Sequence, residues 1–410
     1  MPGPTVPRIA IVYEAESIPL LMLANSATRC GYGLVWLADE SDARILGRFG
    51  TVLTWADGSG GAIAGQLAEL GVAGITTFAD TQIERTATIA ARLGLPANPP
   101  GAARCLVDKI AQRQALAAAG IPGPAFVGVS SPAAAERAGG ALDALRYPVV
   151  VKPAVGFGGR DTVCLPDPES ARAELTARFG AGQWQPAIVE ECLGPYPPAA
   201  PGGFGDYLSV EAVVVAGAPS VVAVTGRMPL MAPFRETGAF LPAALPADEQ
   251  AAAADMAIGA VRALGVHTGC LHIELKLTGA GPRVIEVNGR VPGGGIADLV
   301  LAHTGIDLYA CALDAARGRR HGQALSTGPG VQYQLALQPP AGRLARLRSD
   351  WSERLDAIPG MSQVTVQSTE AKVEERDGSY GYLLMARGAA ADHEALLDTY
   401  RRLYDALEPD

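Results

Sequence analysis

The sequence predicts a multidomain protein that combines α/β and α+β architecture. Three observations predict it. The first hundred or so residues alternate short apolar runs with helical stretches, the mark of βαβ units around a parallel sheet. The middle of the chain carries a strand pair, residues 272–288, with one strongly polar face. From about residue 325 onward, isolated strands precede one closing helix. The chain has 410 residues, roughly two to four domains at about 100–200 residues each.

In order along the chain, residues 8–13 (RIAIVY) read as a buried parallel strand. A helix follows at 18–30. Strands are expected at 34–37, 51–55 and 74–78, with helices at 62–70 and 81–93. The Pro/Gly-rich stretch 96–101 closes a domain over 1–98. The helix at 108–120 ends on a glycine, with Pro122 and Pro124 just beyond. Strands are expected at 147–152, 163–165, 188–191, 208–216 and 220–225, a Pro/Gly loop at 195–205, and a helix at 251–264. The strands 272–277 and 283–288 are joined by a Gly/Pro turn. These elements make a central domain over 99–324. The last domain, 325–410, has strands at 331–337, 364–366 and 382–386 and a helix at 393–407.

Composition narrows the function classes. Charged residues are 18% of the chain and hydrophobic residues 49%, so a large core is available and disorder is excluded. The net charge of −9 argues against nucleic acid as a general partner. No apolar run is long enough for a membrane span, and residues 1–4 do not resemble a signal peptide. Six scattered cysteines without a CxxC pair read as reduced thiols of a cytoplasmic protein, not as a disulfide frame or zinc site. Of 33 basic residues four are lysine: Lys109, Lys152, Lys276 and Lys372. An ammonium kept against such a bias marks positions where arginine is a poor substitute.

Chemistry concentrates in three places. Strand alternation puts His272, Glu274 and Lys276 on one face, and Glu286 and Asn288 on one face of the next strand. Two carboxylates and an amide oxygen meeting across the pair suit Mg²⁺ completed by substrate phosphates. Arg290 extends that face and can stabilise developing anionic charge. The same pattern also fits an amphipathic hairpin with a solvated face. Second, a buried strand delivers Lys152 to the loop Gly156-Phe157-Gly158-Gly159. Its N–H groups can approach phosphate, although the Walker order is absent and a plain turn is the alternative. Third, the strand ending in Glu190, Glu191 and Leu193 can present main-chain groups to an adenine edge.

The order of these features resembles the ATP-grasp superfamily over essentially the whole chain, and most of all the L-amino-acid ligases of the alanine–anticapsin ligase type. The resemblance rests on Asp108-Lys109, Lys152-Pro153, the glycine loop, Glu190-Glu191-x-Leu193, His272-Ile273-Glu274-Leu275-Lys276 and Glu286-x-Asn288-x-Arg290. It implies an ATP-grasp fold with a Rossmann-like N-terminal domain and a C-terminal α+β module. Lys109 and Lys152 would contact ATP phosphates from two sides, under the Gly156–Gly159 loop. Glu191 and Leu193 would meet adenine, with Glu190 adjacent, and Asp206 would hold the ribose. Glu274, Glu286 and Asn288 would bind Mg²⁺, with Mn²⁺ as a substitute. Lys152, His272 and Arg290 would be the catalytic side chains. Gly293, Gly294 and Glu236 would line the substrate pocket, although Glu236 also fits a solvated loop.

The implied reaction joins a small-molecule carboxylate to an amine, such as two amino acids, through an acyl phosphate, with ADP and phosphate released. A bicarbonate-dependent or purine-pathway ligase is the alternative within the superfamily, and a non-catalytic nucleotide-binding scaffold the alternative outside it. The run Val291-Pro292-Gly293-Gly294-Gly295 departs from the polar stretch of biotin carboxylases. A homodimer is the expected assembly, since closed dimers are the commonest.

Overall fold

The computed structural model describes residues 6–55, 60–180, 185–194, 203–322 and 326–408. Residues 195–202 of the expected loop and the expected 324/325 boundary lie outside the described residues. At the N-terminal end, β1 (Arg8–Val12), β2 (Gly33–Ala38), β3 (Thr51–Thr54) and β4 (Val72–Thr77) form a wholly parallel sheet in the order β3-β2-β1-β4. Both faces of β1 and β2 are covered, which is why they are apolar without alternation. Ala10, Val12, Val35 and Leu37 pack with Leu67 and Ile89 on one side. Ile9, Ile11, Leu34 and Trp36 pack with Leu23 on the other.

A second sheet contains β5 (Phe126–Val129), β6 (Val149–Pro153), β7 (Val163–Leu165) and β8 (Ala187–Glu191), antiparallel in the order β5-β8-β6-β7. Strand β5 is only four residues long and contains a glycine, so no alternation marks it in the sequence. Its inner face packs on the helices Pro132–Arg137, Gly139–Asp143 and Pro168–Gly180.

The largest sheet is built from β9 (Tyr207–Val215), β10 (Ala218–Arg227), β11 (Gly238–Leu241), β12 (Gly269–Lys276), β13 (Arg283–Asn288) and β14 (Val331–Leu337). After β15 (Leu344–Arg346) come β16 (Met361–Val366), β17 (Glu370–Lys372) and β18 (Leu384–Ala390). Eight of these strands run in the order β13-β12-β9-β10-β11-β14-β18-β16, while β15 and β17 pair with each other. The C-terminal strands therefore continue the central sheet through β11. That strand, Gly238-Ala239-Phe240-Leu241, begins with weak strand formers and leaves little local signal.

Period two divides the central sheet. Leu208, Val210, Ala212, Ile273 and Leu275 face the helix Ala247–Ala263 and form one core with it. The opposite face carries Ser209, Glu211, His272 and Glu274 and looks into the space between the sheets. Strand β13 is an edge, which needs cover for its carbonyls. The helix Lys109–Ala118 supplies it. Gln112 donates to Val287 O and accepts from Val287 N–H (2.8 and 2.9 Å), and Arg113 donates to Val284 O and Ile285 O (both 2.8 Å). Asp108 caps this helix by accepting from the N–H of Ile110 and Ala111. That cap sets the position of Lys109.

Among the described residues no single helix is long and apolar enough to cross a membrane. The apolar pair Ile296–Thr304 and Leu308–Ala315 bends by 99° and packs in the core beneath β9 and β12.

Candidate active site

A cleft of about 470 Å³ opens between the second sheet and the polar face of the central sheet. Its wall contains Lys109, Lys152, Gly156, Phe157, Gly158, Gly159, Glu190, Glu191, Leu193, Glu236, His272, Glu274, Glu286, Asn288, Arg290, Gly293 and Gly294. Residues far apart in sequence thus share one surface.

The carboxylates of the hairpin meet as strand pairing dictates. Glu274 stands opposite Glu286 and His272 opposite Asn288, with a register shift just after Glu274. Lys109 ties this pair to the glycine loop. Its Nζ lies 2.8 Å from Glu286 Oε1 and donates to Gly156 O at 2.6 Å. Burial opposes the charge on Glu274, but His272, Arg227 and Lys152 outweigh it and hold its carboxyl well below the usual range. Two anionic hard-oxygen donors beside an amide oxygen are a donor set that fits Mg²⁺.

Lys152 emerges from β6 and lies 2.8 Å from Glu190 Oε2. The other oxygen of Glu190 is 2.7 Å from Arg113 Nε. Burial favours the neutral acid, yet the two cations prevail and hold Glu190 at about 2. Its side chain therefore fixes the Lys152 ammonium on the cleft wall. The N–H and side chain of Glu191 are engaged within the chain. Its N–H donates to Ala125 O (2.9 Å), its side chain accepts from the N–H of Arg146 (2.9 Å), and the next N–H, of Cys192, donates to Pro148 O (2.9 Å). Sheet pairing has claimed these donors. Leu193 follows directly on the cleft wall.

Asp206, expected at a ribose, is engaged within the chain. Its Oδ1 accepts from Lys276 Nζ at 2.6 Å, and Tyr207 and Lys276 form the cleft wall at this end. Pairing Lys276 with Tyr207 across β12 and β9 brings the ammonium onto the neighbouring carboxylate. Lys276 thus stands on the cleft wall with Asp206 behind it.

His272 is 4% exposed. Its Nδ1 is 2.9 Å from Glu211 Oε2 and its Nε2 is 3.4 Å from Glu274 Oε1. Burial favours the neutral ring, but Glu211 and Glu274 raise its pKa to about 9. Glu211 also accepts from the hydroxyls of Ser209 (2.7 Å) and Thr225 (3.2 Å). Arg227 completes the cluster. Its Nη1 is 3.1 Å from Glu236 Oε1, and its Nη2 is 3.2 Å from His272 Nε2. Arg290 is held from the N-terminal domain by Asp80, whose Oδ2 accepts from Nε at 2.7 Å.

Sequence reasoning missed Arg227, Glu211, Asp80 and Arg113. Glu211 did carry a signal, a lone carboxylate in the run Val210-Glu211-Ala212-Val213. It also missed the wall given by the C-terminal module, where Gln334, Ala336, Ser379, Tyr380, Tyr382 and Met385 face the cleft. Loop and module touch. The N–H of Ser379 donates to Gly158 O (3.0 Å), the N–H of Asp161 to Arg376 O (3.0 Å), and Phe157 meets Tyr380 edge to face at 6.2 Å. Arg160 lies over the Tyr380 ring at 4.9 Å.

Away from the cleft, Cys30, Asp314 and His321 bring ligand atoms within 4.8 Å of one another. No spacing in the sequence marks this group, because Cys30 lies far along the chain from Asp314 and His321. Asp314 is engaged there by His321 Nδ1 (2.8 Å) and by the Tyr32 hydroxyl.

No family model matches the chain. Among solved structures, an L-amino acid ligase from Bacillus licheniformis superposes with a TM-score of 0.76 at 21% identity, covering 98% of each chain. The fold is that of the ATP-grasp ligases. A second member, the biotin carboxylase domain of 2-oxoglutarate carboxylase from Hydrogenobacter thermophilus, was solved with MgADP and bicarbonate. It superposes with a TM-score of 0.65 at 15% identity, over 98% of this chain and 90% of that one. Among curated sequences, the uncharacterized protein y4rH of Sinorhizobium fredii is 26% identical over 347 residues, 82% of this chain and 69% of that protein. Carnosine synthase 1 of Gallus gallus is 33% identical over 166 residues, 40% of this chain but 17% of that protein. The match thus spans under a fifth of the chicken synthase.

Proposed function

We propose that this chain is an ATP-dependent carboxylate–amine ligase that forms an amide bond involving an amino acid. The observation that carries the reading is the facing pair Glu274 and Glu286 beside Asn288, bracketed by Lys109 and Lys152 in one cleft. Such a site neutralises a triphosphate and leaves Arg290 beyond it for the reacting carboxylate. Likeness to an L-amino acid ligase and to carnosine synthases supports an amino acid as substrate.

In this reading Glu274, Glu286 and Asn288 hold Mg²⁺, or Mn²⁺ in its place. The ion would supply charge neutralisation for the nucleotide phosphates. Lys152, set by Glu190, and Lys109, set by the helix cap, orient the γ-phosphoryl group. The Gly156–Gly159 loop covers it and excludes water. A substrate carboxylate attacks the γ-phosphorus, and ADP departs. The amine then attacks the acyl carbon of the resulting acyl phosphate, and inorganic phosphate leaves. Arg290, immobilised by Asp80, faces the anionic oxygens in both steps.

The test is phosphate release from Mg·ATP with single and paired amino acids, read together with product masses. Release that tracks a mass equal to the pair minus water establishes amide ligation. Release that requires bicarbonate and yields no such mass moves the chain to the carboxylating branch, and silence across the panel defeats the reading.

A further inference from the structure

Beyond Arg290 the cleft changes character. Strands β11, β14 and β18 pair so that Ala239 faces Gln334 and Ala336 faces Met385 across adjacent strands. These four side chains share one face of the central sheet and line the cleft. Leu230, Phe234 and Ile296 close around them. Small residues keep the space open. A Cβ added at Gly293 or at Gly294 would meet nothing within 4 Å.

The charges bordering this floor are already matched. Arg387 Nη1 is 2.5 Å from Asp298 Oδ2, and Arg387 Nε donates to Gln334 Oε1 at 2.7 Å. The Gln334 amide also donates to Gly294 O. Glu236 is paired with Arg227. A charged substrate side chain placed here would lose water without gaining an unmatched partner, which is unfavourable. An apolar side chain would gain by burial.

We propose that the floor formed by Ala239, Ala336 and Met385 receives the uncharged, apolar side chain of one amino-acid substrate. The proposal rests on the ligase reading for the presence of an amino acid and adds its chemical class. Gln334, anchored by Arg387 and Gly294, is the polar group on this floor.

The test is calorimetric titration of glycine, leucine, phenylalanine, glutamate and lysine into the full chain loaded with Mg²⁺ and a non-hydrolysable ATP analogue. Leucine or phenylalanine binds at least about tenfold more tightly than glutamate and lysine, the scale set by filling an apolar pocket. In Ala336→Phe the ratio of leucine to glycine affinity falls at least about tenfold. In Met385→Ala the ratio of phenylalanine to leucine affinity rises, so a poorly folded first variant does not block the decision. A preference for glutamate or lysine, binding of no amino acid, or ratios unchanged in a folded variant overturns the proposal. Because the titration needs no turnover, apolar binding without amide product would defeat the ligase reading and leave the pocket standing.

Discussion

Glu190→Gln removes the one anion between two buried cations, and its cost follows from the geometry. Lys152 Nζ and Arg113 Nε each lie within 2.8 Å of a Glu190 oxygen, and the residue is 5% exposed. Holding this carboxylate at about 2 instead of 4.5 corresponds to about 3 kcal/mol, at about 1.4 kcal/mol per tenfold. Breaking a buried pair on one side costs about 3–5 kcal/mol by precedent, so both routes agree. Its pKa is depressed in the fold. The stabilisation is therefore complete above the unfolded value of 4.5 and is lost as pH falls through about 2. In urea unfolding at pH 7 the variant is about 3 kcal/mol less stable than wild type, and the gap narrows as pH is lowered from about 5 toward 2. Lys152 loses its anchor at the same time, so KM for ATP rises. A variant within about 0.5 kcal/mol of wild type at pH 7, the range of an ordinary surface change, with unaltered KM, would show that Glu190 does not organise the site.

Two further perturbations probe the other side of the cleft. Glu286→Gln leaves Lys109 without its carboxylate and halves the anionic donor pair. The Mg²⁺ concentration for half-maximal ATP turnover then rises about tenfold or more, since even outer-shell losses cost about 10–100-fold in metal affinity, and an unchanged Mg²⁺ titration would remove Glu286 from the metal site. Arg376→Ala removes the bidentate contact to Glu174 (2.9 and 2.7 Å) that joins the C-terminal module to the helix Pro168–Gly180, packed on the sheet bearing the glycine loop. Arg376 is half-exposed and its pair is worth about 0.2–1 kcal/mol, so KM for ATP rises no more than about fivefold, and a larger loss would mean that this contact governs closure of the loop.

What was legible in the sequence was local, and what was not depended on distant strand pairing. The hairpin could be read because Glu274 and Glu286 are joined by a short turn, and period two alone puts them face to face. Lys109 and Lys152 could be read because each sits at a recognisable element end. Asp80 could not, since it meets Arg290 across 210 positions. Glu211 meets His272 across 61, and only the β9–β12 register makes them neighbours. The same register explains Asp206, which had the chemistry for a ribose contact but whose near neighbour across β12 is Lys276. The C-terminal module shows the effect at larger scale. Strands β14 and β18 were expected as strands, but nothing in their local pattern says that they join the central sheet through the four residues of β11. That junction turns Ala336 and Met385 from surface positions of a separate module into the floor of the cleft. The residues expected at the nucleotide are thus carried by short motifs, whereas the wall opposite them is assembled by pairing between strands about 50 to 95 positions apart in the chain. The end of the cleft that the proposed function gives to ATP is the part a single sequence can announce, and the end it gives to substrate has to be found by knowing which strand lies next to which.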